Sequence, residues 1–98
     1  MTRFWEISFH LQTPAAQSLK GKRAVIKSLI GSLQRDLKVS VAENGHQDLW
    51  QRCSLGVAIA AGSETGARKV AQSVEKIVWR EPRVEVVSIR VEIVASED

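Results

Sequence analysis

From residue 5 the chain alternates: Trp5, Ile7, Phe9 and Leu11 are apolar, while Glu6, Ser8, His10 and Gln12 between them are polar. A period of two sends successive side chains to opposite faces of an extended strand, so this segment buries one face and leaves the other wet. Thr13-Pro14 ends the pattern, because proline cannot donate to a ladder and restricts the residue before it. The rest of the chain must cover the apolar face.

The period then changes. Ser18 is a suitable N-cap, and Ile26, Leu29, Ile30, Leu33 and Leu37 recur at helical spacing, with Leu19 and Val25 at the margins of the stripe. A helix is expected from Ser18 to about Leu37. Gly21 and Gly31 each weaken it by up to ~1 kcal/mol against alanine, so it depends on packing. A short strand, about Val39 to Glu43, carries Val39 and Val41 in phase. A longer one comes next with Leu49, Gln51, Cys53, Leu55, Val57, Ile59 and Ala61 on one face, and Arg52, Ser54, Gly56, Ala58 and Ala60 on the other. Asn44-Gly45 has the form of a two-residue hairpin turn. That turn would put the two valines on the face opposite Leu55 and Val57. A five-residue loop, Asn44 to Asp48, pairs Val39 with Cys53 and keeps one apolar face, as would a bulge.

A second helix is drawn from Glu64 to Val78, with Ala67, Val70, Ala71, Val74, Ile77 and Val78 as its stripe, stopped by Glu81-Pro82. Val87, Ile89, Val91 and Ile93 alternate with Ser88, Arg90 and Glu92 in a last strand, and residues 95–98 read as a frayed acidic tail. The order is βαββαβ. Two βαβ-like halves of half-apolar strands suit an antiparallel four-stranded sheet with both helices on one face. Right-handed crossovers then place the first and third strands centrally, in the ferredoxin-like α+β arrangement. At 98 residues the chain is expected to form a single domain over 1–98.

Composition narrows function mainly by exclusion. No apolar run approaches the ~18 residues that span a bilayer, and no signal-peptide core precedes the first strand, so no membrane association is expected. The single cysteine, Cys53, forms no disulfide framework and fits a reducing, cytoplasmic setting. A net charge of +3 permits an anionic partner without requiring one.

Two segments carry a family resemblance. Ser18-Leu19-Lys20-Gly21-Lys22-Arg23, and Val39-Ser40-Val41-Ala42-Glu43 followed by His46-Gln47-Asp48-Leu49-Trp50-Gln51-Arg52, resemble the YlxP-like family of small bacterial domains of unknown function. The resemblance implies a ferredoxin-like fold. It implies a family-motif loop of Glu43, His46, Gln47, Asp48, Trp50 and Arg52. At the position of Gly21 the family usually has a glutamate, which would close a capping box with Ser18. Family members tend to be encoded beside translation and ribosome-maturation factors, which points toward RNA as an association and not a mechanism.

Function has three readings at this level. In the first, the chain is a non-catalytic binding protein for structured RNA or the ribosome. Lys20, Arg23 and Lys27 fall on one side of the first helix, with Lys22 nearer the core edge, as a phosphate-contacting stripe; an ordinary solvated face has the same pattern. Trp79 and Arg80 join them if the second helix continues and holds Trp79 beside Arg80; if it frays first, Trp79 folds back over the core rim. In the second, a homodimer forms through the small-residue sheet face around Gly56 and Ala58. In the third, His46, Asp48 and Cys53 make an enzyme or metal site. Cys53 is in phase with Leu55 and Val57, and the spacing fits no zinc pattern, so no catalytic residue, cofactor or metal is expected.

Overall fold

The structure, a computed structural model, describes residues 3–14, 16–45, 49 and 51–95. Its elements in chain order are β1 (Arg3–Gln12), α1 (Leu19–Leu37), β2 (Ser40–Gly45), β3 (Arg52–Ala61), α2 (Glu64–Arg80) and β4 (Glu85–Ala95). The strands form one antiparallel sheet in the order β2-β3-β1-β4, with β1 and β3 central as expected. The fold is ferredoxin-like.

Both periodicities point where the sequence sends them. Trp5, Ile7, Phe9 and Leu11 of β1 and Cys53, Leu55, Val57 and Ile59 of β3 are buried with Ile26, Leu29 and Leu33 of α1 and Ala67, Ala71, Val74 and Val78 of α2. The helix starts have a local cause. The Gly21 N–H donates to Ser18 Oγ at 3.0 Å, and the Gly66 N–H to Ser63 Oγ at 3.1 Å. Each bond satisfies one of the donors that a first turn leaves open. Glycine at 21 supplies that N–H but no carboxylate to return the bond. At the other end, Lys38 closes α1 in the left-handed region with φ 54°.

Two expectations need correction. The first concerns β2. Val41 pairs with Val57 and Glu43 with Leu55, whereas the expected register would set Val41 against Gln51, six residues along. Face alternation fixes only the parity of a register, so every even slip keeps the apolar faces together. The parity is right and the register is not. Gly45 still pairs with Ser54, after a bulge at Asn44, so Asn44-Gly45 is not a hairpin turn. β3 accordingly begins at Arg52, and Leu49, 45% exposed, lies outside it. The second concerns α2, which runs through Trp79 to Arg80 and holds the indole 62% exposed instead of folding it over the core.

The connectivity gathers one end of the molecule. Because α1 and α2 come after antiparallel strands, the first turn of α1 and the last of α2 lie at the same end, beside the start of β3. The Thr13 N–H donates to the Gln51 carbonyl at 3.0 Å, tying the exit of β1 to the entry of β3, and an Arg83 guanidinium N–H donates to Ser28 Oγ at 3.3 Å, tying the α2–β4 turn to the middle of α1.

Candidate functional site

Lys22 is the residue that the structure moves furthest. It shares the helical phase of Ile26, Leu29 and Leu33, and its side chain is fully buried, with Nζ 2.7 Å from a Glu43 carboxylate oxygen. A fully buried ammonium cannot contact a phosphate at the surface, so Lys22 leaves the stripe and joins the core. Glu43 reaches it because its position on β2 is in phase with Val41, on the helix-covered face. The pair stitches the N-terminal half of α1 to the β2 edge.

Cys53 stands beside this pair. Burial pushes its thiol up to about 12, with the Glu43 carboxylate adding to the effect through its charge and a hydrogen bond, and Lys22 opposing it. A buried thiol that stays protonated at neutral pH offers neither the thiolate nor the access that a nucleophile needs. His46, Gln47, Asp48 and Trp50 lie outside the described residues, so the enzyme or metal reading has only Cys53 to stand on there. Among the described residues no three histidine, cysteine, aspartate or glutamate side chains gather as a metal set.

What remains of the α1 stripe is Lys20, Arg23 and Lys27, all exposed. Surface ion pairs join Asp36 to Arg35, Glu64 to Arg68, Glu81 to Arg83 and Glu92 to Arg90. Among the described residues none of the three stripe cations has such a partner. Moreover, the first turn of α1 contains no acidic residue. Lys20 lies in that turn, at the positive end of the helix dipole, where a cation is disfavoured by ~0.3–1 kcal/mol at low ionic strength, and Arg23 follows just beyond it.

Trp79 and Arg80 share this end of the molecule but not the stripe. The α1 flank carrying Ser28 is the one that meets Arg83 and the α2–β4 turn. Lys20, Arg23 and Lys27 lie on its other flank, while Trp79 lines a groove with Gln12, Val84, Glu85, Val86 and Val87. Arg52 lines an adjoining groove of about 270 Å³ with His10 and Ser88, which shares Gln12 and Val87 with the first. On the outer sheet face, the Asn44 side chain lies over Gly56, its Nδ2 2.8 Å from where a β-carbon would stand.

Sequence reasoning missed two features. One is the Lys22–Glu43 pair. The other is the exposed apolar surface of β4, where Val87, Val91 and Ile93 are 59%, 46% and 52% exposed.

Residues 6–91 match the model of the family described as "Protein of unknown function (DUF503)". The chain belongs to this family. It is also 40% identical over 70 residues to "Uncharacterized protein YlxP" of Bacillus subtilis (strain 168), covering 71% of this chain and 76% of that protein. Among solved structures it is similar to Rv0793 from Mycobacterium tuberculosis, with a TM-score of 0.59 and 10% identity over 98% of this chain and 96% of that one. A de novo designed protein with ferredoxin fold gives a TM-score of 0.54 at 12% identity, covering 95% and 86%. These two likenesses bear on the fold only.

Proposed function

We propose that the protein is a non-catalytic binding module that docks on structured RNA, such as the ribosome presents, through the outer flank of α1. Lys20, Arg23 and Lys27 are its phosphate contacts. The observation that carries this reading is where the cations stand. Lys20 stands in the first turn of α1, the helix end that disfavours positive charge, with Arg23 one residue beyond that turn and no acidic residue in it to offset them. Such a placement lowers the stability of the free protein and becomes favourable against a polyanion. The β2-side core under the stripe, closed by Lys22 and Glu43, gives it a rigid backing. Trp79 and Arg80, on the other flank, are at most a second point of contact with a large RNA.

The test is RNA binding as a function of salt, with Lys20→Ala/Arg23→Ala/Lys27→Ala against the unaltered chain. Each lost phosphate contact removes ~0.7–0.9 from the slope of log affinity against log salt, so the triple variant should lose roughly 2.1–2.7. The same variant should unfold at an equal or higher denaturant concentration, because it relieves the dipole conflict. Binding that ignores salt, or a triple variant with unchanged slope, contradicts the proposal.

A further inference from the structure

β4 is an edge strand of 11 residues, paired only with β1. α2 lies over β3 and β1 and reaches β4 only sparsely. As a result Val91 and Ile93, which the register places beside the buried Ile7 and Trp5 on the helix side of the sheet, remain about half exposed. Natural proteins usually blunt a free edge with charge, proline, a bulge or a covering element, since its unpaired N–H and C=O groups are a template for another strand. Here a bulge interrupts the ladder near Val87. From Ser88 to Ala95 the ladder is regular.

We infer that this free stretch of β4 is a homodimer interface, pairing antiparallel with β4 of a second copy about a two-fold axis at Val91. The charge pattern selects the occupant. Arg90 and Glu92 flank Val91 on the outer face, in register with Ser8 and Glu6. A two-fold axis at Val91 sets Arg90 of each copy against Glu92 of the other, giving two opposite-charge cross-strand pairs. Slipping by one residue in the centre, to Arg90 or Glu92, sets like charges face to face. The same register joins Val91 to its own counterpart and Ile89 to Ile93 on the inner face, between the two α2 helices. It also spans Ser88 to Val94, which begins just past the bulge.

A second observation agrees. Within one chain Glu92 lies directly across from Glu6, a like-charge pair on adjacent strands, and its ion-pair partner is Arg90 of its own strand at 2.6 Å. The second copy's Arg90 would approach Glu92 from the open side and add a cation to this acidic pair. The interface is isologous and closes on itself, so it produces a dimer and not a fibre. It lies on the flank away from the α1 stripe and is independent of the RNA reading.

The experiment is sedimentation equilibrium of the full chain from low micromolar concentration upward, with thermal unfolding of each variant to confirm folding. The unaltered chain should reach twice its 10.9 kDa mass. Arg90→Glu and Glu92→Arg should each raise the dimer dissociation constant about tenfold or more, since each replaces two attractive pairs by two repulsive ones. The double variant Arg90→Glu/Glu92→Arg should regain the dimer, because the swap restores both pairs in this register only. Val91→Lys should be monomeric, whereas Ala58→Arg on the outer face of β3 should not. A monomer at every concentration, a dimer that survives Val91→Lys, or a double swap that fails to recover overturns the inference.

Discussion

The two edges of this sheet are finished differently. β2 is short, six residues, and its inner face is covered by α1, whose Lys22 reaches Glu43 inside the fold. β4 is nearly twice as long, and its inner face runs out past the helices with Val91 and Ile93 still in water. The β2 side even buries a charge and pairs it. On the β4 side the Trp5 indole, across the ladder from Ile93, has a buried N–H with no hydrogen-bond partner among the described residues. The two helices cover β2, β3, β1 and the start of β4, where Val86 and Ile89 pack against the core, and the stretch with Val91 and Ile93 is the remainder.

The sharpest way to break that contrast is at the closed edge. Removing one partner of a buried ion pair leaves the other charge uncompensated, typically at ~3–5 kcal/mol. Glu43→Ala should therefore lower unfolding free energy by about that amount in a denaturant titration. Lys22→Met/Glu43→Leu should return most of it, since an apolar pair of similar volume has no charge to desolvate. If Glu43→Ala costs no more than an exposed substitution, the β2 edge is not closed in the way described.

Next in size is a pH effect from Cys53 at the same edge. Its folded-state value, about 12, lies above the ordinary thiol value of 9.0. The folded chain therefore holds this proton more tightly than the unfolded chain between those limits. The stabilisation is complete below pH ~9 and is lost as pH rises toward 12, with a slope of up to about 1.4 kcal/mol per pH unit. Cys53→Ala should remove that slope, seen by comparing denaturation midpoints of the two proteins at pH 8 and above 9, whatever its constant cost in packing.

These first two features were within reach of the sequence. Lys22 falls on the stripe of Ile26, Leu29 and Leu33, and Glu43 is in phase with Val39 and Val41. A cation and an anion each on an apolar face, in neighbouring elements, are a candidate buried pair. Element order, both helix phases and the central strands were legible because burial repeats at 3.6 or 2 residues and tolerates few alternatives. The β2 register was not, because parity admits every even slip. Nor was the exposure of β4: Val91 and Ile93 have the alternation of a buried strand, and only the lateral placement of α2 leaves them uncovered. The α1 cations were readable as a stripe, and the Ser18 N-cap already set Lys20 in the first turn of the helix.

The smallest expected effect belongs to the open edge. In dilute solution, where β4 has no partner, Val91→Thr should change stability by no more than about 0.5 kcal/mol, as for an exposed position. A larger loss, measured by denaturation well below the dimer dissociation constant, would mean that α2 covers β4 after all.

Amide hydrogen exchange measured against protein concentration compares both edges in one experiment. With β4 open to a second copy, outward-facing amides between Ser88 and Val94 should gain protection as the concentration rises, while those of Ser40–Gly45 keep the same rates throughout. Rates on β4 that do not respond to concentration, or protection that rises on β2 instead, would contradict the distinction between a closed edge and an open one.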